Sequence, residues 1–371
     1  MDLFDGKLCR ECQLRLEKAI RVMIQDDMHV LFHIKIDDLG QRLTQLPREL
    51  MVQSDVNARI FGHLANSVFQ TYISAFHCLV QKIFNEYFYD LLSTILAQVS
   101  FLTEYENRDV SQYSKDCTQF LKTNLCSTLA TVVSSDCLRT GQPIPREVWL
   151  MYSESLDTDV ASRRLKLAST LYCCGDLQKA AYVLDQVAQR LDDSVLSVCG
   201  HRLLRNVVLS QRFCEFTEHS EVQTISSKLA FCVRFIRQEM FCTPMFMWFE
   251  MFRSVGDDVQ HRCISEREWM DCAEVDARPF MLYLQYLTYR DLGERLRQLQ
   301  AFGELQQTVS SRAKMKQLHH RETVFNLMGH CLELEGNLQG ALNVYDSSLR
   351  FLPRNNAANK HILRLTQQMN V

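Results

Sequence analysis

The sequence predicts an all-α protein in which helical hairpins stack on one another. Twelve glycines and six prolines among 371 residues amount to about 5%, where average usage is about 12%. Sheet proteins need many turn residues, so this scarcity favours helices joined by short corners. A second observation is a repeated pattern, because "GDLQKAAYVL" begins at Gly175 and "GNLQGALNVY" begins at Gly336. Each copy predicts the corner of a hairpin and the start of its second helix.

Helical patterns account for the first part of the chain. Apolar residues between 10 and 26 recur at helical spacing, and Pro47 then breaks the pattern. From 55 to 104 a helical period continues through many aromatic side chains and predicts two helices that pack on each other. The polar segment 103–114 predicts a corner, and a further helix is expected through Leu129.

The segment 134–147 is the strongest internal boundary in the sequence, because it holds one glycine and two prolines. After this boundary the helical pattern resumes in paired segments with short connections. Helices are predicted at 159–174, 177–191, 196–213 and 226–242, and then in close succession from 279 to the end.

Residues 322–355 match the helix-turn-helix unit of tetratricopeptide repeats, which is about 34 residues long. Gly329 and Ala341 are small where the two helices of the unit are expected to cross, and Gly336 can adopt the positive φ that ends the first helix. Tyr345 is expected to reach the next unit, and Pro353 ends the second helix. The full signature consists of Phe325, Met328, Gly329, Leu332, Gly336, Ala341, Tyr345 and Pro353.

Two other segments match the same pattern less completely. Residues 161–194 keep the glycine corner and the small residues, whereas residues 279–312 keep Gly293 but carry Tyr286 and Gln298 in place of the small pair. A helical bundle with unrelated glycine corners is the alternative. One full match accompanied by two partial ones favours a tetratricopeptide-like array.

A repeat array of this kind forms a concave surface that its first helices line. Asn326, His330 and Glu333 are expected to lie on that surface, followed by Lys360 and Arg364 on the next helix. This candidate partner groove is polar and partly basic, which suits an extended peptide with acidic groups. Solvated residues without any partner are the alternative.

Composition excludes several classes of protein. The net charge of −3 gives no electrostatic reason to expect a nucleic-acid partner. No run of about 18 apolar residues occurs, so no membrane-spanning helix is predicted, and the acidic start "MDLFDGKLCREC" is not a secretory signal. Fifteen cysteines, scattered among apolar helical residues, predict reduced thiols in a cytoplasmic protein. The oligomeric state is not determined by these patterns.

Chemical motifs are few. Neither GxGxxG nor GxxxxGK[ST] occurs, so no nucleotide cofactor is expected. The set Cys9, Cys12, His29 and His33 resembles a zinc site with two cysteines and two histidines. The helical pattern between the two halves of this set separates them, so a zinc-dependent function is the weakest of the hypotheses.

Two His-containing pairs accompany the best repeat, and neither predicts a site. His319-His320 precedes the first helix, and His330-Cys331 lies within it. Adjacency on one helix does not supply the converging geometry that a metal ion or a Cys–His nucleophile needs. A histidine at a helix start and a cysteine in the core are therefore expected, and no cofactor or metal is predicted.

Two parts of the sequence resemble the Mab-twenty-one (male-abnormal) family. In Leu16–Leu43 a Leu-rich helical pattern is followed by a His-aromatic loop and by Asp38-Leu39, which resembles the last helices of that family. Residues 280–302 and 319–365, together with 164–184, look like the repeat tail that some members carry. The resemblance implies a remnant of the family's C-terminal helical domain at 1–46, a helical connector at 47–140 and a tetratricopeptide-like region at 141–371.

The family includes cyclic GMP-AMP synthase and related nucleic-acid sensors. Those enzymes carry a Gly-Ser dipeptide and acidic metal ligands in an N-terminal nucleotidyltransferase domain, and no Gly-Ser occurs in this sequence. The resemblance therefore implies that the chain is not an enzyme. The repeat pattern without a catalytic motif predicts a helical-repeat module for protein–protein interaction. The alternative is the C-terminal regulatory part of an innate immune sensor whose catalytic domain is absent from this chain.

Overall fold

A computed structural model describes residues 112–199, 227–263 and 270–369, together with residue 266 and separate positions between 95 and 107. Several predictions lie outside the described residues. They are the helix at 10–26, the break at Pro47, most of the helices at 55–104, the resemblance in Leu16–Leu43, and the set Cys9, Cys12, His29 and His33.

The described part of the chain is mostly helical. Its α-helices are α1 (Gln112–Thr140), α2 (Arg146–Ser155), α3 (Ser162–Cys173), α4 (Leu177–Arg190), α5 (Trp248–Met251), α6 (Ala277–Asp291), α7 (Arg295–Ser310), α8 (Arg312–Gln317), α9 (Arg321–Leu334), α10 (Leu338–Phe351) and α11 (Ala358–Met369). Short 3-10 helices span Leu156–Thr158, Arg237–Cys242, Met245–Met247 and Gly256–His261.

Four short strands form two small sheets among the described residues. The strands are β1 (Leu196–Val198), β2 (Leu229–Phe231), β3 (Val233–Phe235) and β4 (Ala273–Val275). β1 pairs with β2 in parallel, and Val198 lies opposite Phe231. β3 pairs with β4 in antiparallel fashion, and Arg234 lies opposite Glu274. The described residues are mostly helical with a few short strands, which is consistent with the predicted all-α class.

The predicted helices at 196–213 and 226–242 are not α-helices where the structure describes them. The first of these segments begins with β1, and the second contains β2, β3 and a 3-10 helix. The stretch "LAFCVRF" at 229–235 is rich in β-branched and aromatic residues, which favour strands. A short apolar run fits a helix and a strand equally well. The strands are therefore recognised only from the pairing of β2 with β1 and of β3 with β4.

The boundary predicted at 134–147 begins later than expected, because α1 continues to Thr140 and the turn follows at Gly141. Ser134 and Ser135, at the start of that segment, are buried within α1. The Tyr152 hydroxyl donates to Ser134 Oγ over 3.5 Å, and the backbone N–H of Phe241 donates to Ser135 Oγ over 3.2 Å. These partners let hydroxyl groups enter the core.

Three helical hairpins follow in chain order within the described residues, formed by α3 with α4, by α6 with α7, and by α9 with α10. Gly175, Gly293 and Gly336 form their corners, with φ values of 78°, 75° and 77°. At each corner the glycine N–H and the following N–H bond back to the end of the first helix, which is the Schellman arrangement. The prediction of glycine corners between paired helices is confirmed at these positions.

The residue after the corner glycine starts the second helix in two of the hairpins. The Asp176 carboxylate accepts from the N–H of Lys179, and the Asn337 side chain accepts from the N–H of Gly340 over 2.9 Å. Such N-cap bonds satisfy backbone donors at the start of a helix. The repeated pattern therefore specifies a corner and a cap together.

Each hairpin packs against the next one along the chain. α6 contacts both helices of the first hairpin, α9 contacts both helices of the second, and α11 contacts α10. One hydrophobic core extends through the hairpins and includes Leu171, Tyr283 and Leu327, together with Ala130 and Cys137 of α1. The domain limits at 46 and 140 stay predictions.

Gly329 lies where a side chain has no room. A Cβ atom built on this residue would be 2.3 Å from Cε1 of Tyr345. The Tyr345 ring is fully buried, and it stacks on His361 of α11 with ring centroids 5.0 Å apart. Tyr345 thus packs on its own hairpin and also reaches the next helix. The helix that carries it, α10, ends at Phe351, two residues before Pro353.

We expect Gly329→Leu to lower the free energy of unfolding by about 1–3 kcal/mol, because an overpacked core must shift its neighbours. Gly303→Leu in α7 is the matched control, since nothing lies within 4 Å of a Cβ at Gly303. Because leucine has a higher helix propensity than glycine, this substitution should stabilise the protein by somewhat less than about 1 kcal/mol. Denaturant titrations measure both changes. Equal effects of the two substitutions would contradict the close packing at Gly329.

Among the described residues, no helix combines the length and the apolar character needed to cross a bilayer.

Candidate functional site

Residues 237–262, here named the inner segment, lie along the first helices of the three hairpins. The segment joins β3 to the region before β4 and consists mainly of 3-10 turns. Its contacts are Glu239 Oε1 with Lys166 Nζ of α3 (2.6 Å), the Cys242 carbonyl with Ser169 Oγ of α3 (2.7 Å), Phe246 with Tyr283 of α6 (6.5 Å between ring centroids), and Glu250 Oε1 with Asn326 Nδ2 of α9 (2.7 Å). The inner segment therefore covers part of the surface predicted as a partner groove.

Asn326 belongs to this buried interface and not to an open groove. Its amide donates to Glu250 Oε1 over 2.7 Å and to Asn356 Oδ1 over 3.1 Å, and the residue is fully buried. The prediction that Asn326 is accessible to a partner is wrong. Asn326 is buried because the inner segment packs against it, and no spacing in the sequence predicts this packing.

His330 contacts the inner segment through an aromatic stack. The Phe246 ring lies between the imidazoles of His330 and His361, at 4.1 Å and an interplanar angle of 8° from each. The Tyr283 hydroxyl lies 2.8 Å from Nδ1 of His330. Burial lowers the pKa of His330 to about 3, and burial likewise lowers the pKa of His361 well below its ordinary value. Both rings are therefore neutral at physiological pH.

The charged residues of the predicted groove have partners within the chain. Arg364 Nη2 donates to both carboxylate oxygens of Glu333, at 2.7 and 2.6 Å, and the Tyr345 hydroxyl also donates to Glu333. Lys360 Nζ donates to the carbonyl of Phe252 in the inner segment. Both cations of the predicted groove therefore already have an oxygen partner within the chain.

A second set of side chains converges elsewhere in the fold, namely Cys199, Cys232 and His320, here named the thiol–imidazole cluster. Their ligand atoms all lie within 4.8 Å of one another, and all three residues are buried. Cys199 and Cys232 follow the last paired residues of the parallel strands β1 and β2, so the strand register places them side by side. His320 is the residue immediately before α9.

Two glutamates lie beside the cluster. Cys199 Sγ is 3.2 Å from His320 Nε2 and 3.9 Å from Glu274 Oε1. Glu274 Oε2 lies 3.8 Å from His320 Nε2, and Glu322 Oε1 lies 3.8 Å from the other ring nitrogen of His320. The cluster is therefore a compact group of sulfur, nitrogen and oxygen donors.

Backbone hydrogen bonds fix the position of the imidazole. Asp276 accepts from the N–H of His319 over 3.0 Å and from the N–H of His320 over 2.9 Å. Asp276 directly follows β4 and precedes α6. One carboxylate thus ties the start of α9 to the sheet that carries Glu274.

The electrostatics of the cluster act in opposite directions on its two thiols. The hydrogen bond from Cys232 lowers the pKa of Cys199 well below its ordinary value, helped by His320 and opposed by burial. Burial raises the pKa of Cys232, and its hydrogen bond to Cys199 raises it further. Burial alone lowers the pKa of His320, but the charges of Cys199 and Glu274 outweigh burial and raise it.

Such residues can serve nucleophilic catalysis, disulfide formation or metal binding. A Cys–His nucleophile has to meet a substrate, yet Cys199 and His320 are at most 1% exposed. Two thiols can also form a disulfide, whereas Cys199 and Cys232 are both thiols in this structure. Two sulfurs and an imidazole nitrogen within reach of one point are ligands that zinc prefers.

Sequence reasoning noted His319-His320 as the start of a helix, and this is where the structure places them. It did not connect His320 with Cys199 or Cys232. The three residues lie far apart in the chain, and no CxxC or HxxxH spacing marks them. Strand pairing brings them together, and the pairing itself was not predicted.

Comparison of the chain with family models, with curated proteins and with solved structures gave no match. The chemistry of the cluster and of the hairpin surfaces is therefore inferred from their own geometry.

Proposed function

We propose that this protein is a non-catalytic helical-repeat module for protein–protein interaction, with its hairpins arranged in a tetratricopeptide-like array. The observation that carries the proposal is the succession of three hairpins with the same glycine corner, each packed on the one before. Repeat arrays of this kind expose extended surfaces that bind other proteins. Nucleic-acid binding is not part of the proposal, and a cytoplasmic location stays a prediction.

The inner segment is a permanent part of the array. Phe246, Met247 and Met251 are at most 6% exposed, and burying a side chain of this size stabilises a fold by about 1.5–3 kcal/mol. A partner peptide that displaced the segment would have to replace all of this burial. Partner binding is therefore assigned to the outward side of the segment and not to the groove beneath it.

That outward side carries exposed apolar side chains. They are Met245, Phe252, Val255 and Val259. Met245 and Val259 are 69% and 53% exposed, so they contribute little to folding. Exposed apolar groups that form a contiguous patch are typical of a surface that a partner covers, and we propose that these four form such a patch. The partner expected here is a protein that presents an apolar peptide or helix face.

We expect the double substitution Met245→Glu with Val259→Glu to weaken partner binding about tenfold or more, because charge at the centre of an apolar interface must be desolvated. Leu150→Glu with Leu296→Glu is the matched control, since these leucines are exposed on α2 and α7. Peptide arrays identify partners, and titration calorimetry compares the variants. The melting temperatures of both variants should equal that of the wild type.

The absence of any partner selective for the wild-type chain would contradict the proposal. Equal loss of binding in the control variant would contradict the assigned surface while leaving the interaction function intact. The alternative function, as the regulatory part of a nucleotidyltransferase-type immune sensor, stays a prediction. Sequencing the full-length transcript would test it through an upstream Gly-Ser and acidic pair.

A further inference from the structure

We propose that Cys199, Cys232 and His320 bind a zinc ion, with Glu274 as the fourth ligand, and that this ion is structural. The proposal concerns a metal site distinct from the interaction surface of the hairpins. It also differs from the set Cys9, Cys12, His29 and His33, which lies outside the described residues.

The spacing of the donor atoms fits a tetrahedral ion. Zinc bonds of about 2.3 Å to sulfur and about 2.0 Å to nitrogen or oxygen place neighbouring ligand atoms roughly 3.3–3.8 Å apart. Cys199 Sγ lies 3.2 Å from His320 Nε2 and 3.9 Å from Glu274 Oε1, and Glu274 Oε2 lies 3.8 Å from His320 Nε2. These three donors need only small shifts to admit the ion, and the Cys232 thiol lies within 4.8 Å of the ligand atoms of Cys199 and His320.

The chemistry of the donors selects the metal. Thiolates favour zinc and copper(I) over magnesium, calcium and manganese, and an imidazole with a carboxylate completes a set that zinc commonly takes. Cys199, Cys232 and His320 are all buried, and closed four-ligand sites are structural in known zinc proteins. The site is therefore assigned a stabilising role.

Two carboxylates already lie beside His320 and can fix its orientation. Zinc-bound histidines usually direct their other ring nitrogen to a carboxylate or carbonyl, which fixes the ring and increases its basicity. Glu322 Oε1 lies 3.8 Å from Nδ1 of His320, and Asp276 holds the backbone of His320. This arrangement leaves Nε2 directed towards Cys199.

The ion would connect elements that are distant in the chain. Cys199 follows β1, Cys232 lies between β2 and β3, and Glu274 lies in β4. His320 adds the start of the third hairpin. A metal that ties such elements contributes its binding free energy to folding.

The test uses the full-length wild-type chain, purified without added chelator and analysed for metal content. We expect stoichiometric zinc, and cobalt(II) substitution should give the charge-transfer absorption of thiolate ligands. A chelator should remove the ion and lower the melting temperature, since ligand binding to the folded state stabilises it. These measurements do not depend on any variant that fails to fold.

Variants then locate the ion. Cys232→Ser and His320→Ala should lose the zinc, whereas Cys331→Ser, which alters an equally buried cysteine on α9, should retain it. Cys9→Ser with Cys12→Ser should also retain it. Glu322→Gln should weaken zinc affinity about 10–100-fold in competition with a chelating dye, while the fold is kept.

Three outcomes would overturn the proposal. The first is wild-type protein without stoichiometric zinc after growth with added zinc. The second is zinc that is lost in the Cys9/Cys12 variant but retained in Cys232→Ser. The third is a Cys199–Cys232 disulfide in the wild-type chain, detected by peptide mapping.

Discussion

Lys166→Met is expected to lower the free energy of unfolding by about 3–5 kcal/mol, because it leaves a buried carboxylate without its counter-ion. Lys166 Nζ and Glu239 Oε1 are 2.6 Å apart, and their side chains are only 4% and 1% exposed. Glu239 Oε2 also accepts from the N–H of Ile236 over 2.8 Å. The carboxylate is therefore held in place at the start of the inner segment even when the lysine is removed.

The pair joins the inner segment to the first hairpin, so its loss affects more than one contact. Burial lowers the pKa of Lys166, and the attraction of Glu239 opposes this effect. A charge that is costly to bury needs its partner to remain stable in the interior. Removing both charges should therefore cost less than removing only the lysine.

A double-mutant cycle with Lys166→Met and Glu239→Gln measures this coupling by denaturant unfolding. We expect the double variant to be more stable than Lys166→Met alone. Lys179→Met is the matched control, since Lys179 pairs with Asp176 at 2.8 Å on the surface, and exposed pairs contribute about 0–1 kcal/mol. Similar losses in Lys166→Met and Lys179→Met would refute the buried pair.

Acid pH is expected to destabilise the protein through His330 and His361. The pKa of His330 is lowered to about 3 and that of His361 is lowered as well, whereas an unfolded histidine titrates near about 6.5. Below that pH the two histidines bind protons in the unfolded state but not in the folded state, so the free energy of unfolding falls with decreasing pH. Each histidine contributes about 1.4 kcal/mol per pH unit.

His361→Leu removes one of these groups and keeps a side chain of similar size. We expect the slope of unfolding free energy against pH between about 6 and 4 to decrease by about 1.4 kcal/mol per pH unit. His261→Gln, which alters an exposed histidine, should leave the slope unchanged. Parallel pH profiles of His361→Leu and wild type would show that His361 takes up protons in the folded state.

The hairpins could be predicted because their information is local. Gly175 and Gly336 each precede a capping side chain, and the patterns around them extend over single helices. Gly293 forms the same kind of corner, although Tyr286 and Gln298 replace the two small residues of the repeat pattern. Within such short spans, sequence spacing and three-dimensional spacing are nearly the same.

The two candidate sites depend on non-local contacts, which spacing does not encode. The stretch "MFMWFEMF" within the inner segment shows apolar composition but gives no sign that Phe246 enters between His330 and His361. Cys199 and Cys232 meet because β1 and β2 pair in parallel, and each of these strands is only three residues long. Strands of this length carry too little periodicity to be distinguished from helix or loop.

The inner segment changes how the array should unfold. In a simple solenoid each repeat touches only its neighbours, so stability is a sum of local terms and the ends can fray separately. Here Glu239 contacts α3, whereas Phe246 contacts α9 and α11. One stretch of chain therefore couples the first hairpin to the last helix, and we expect the described region to unfold as a single cooperative unit that cannot be shortened repeat by repeat.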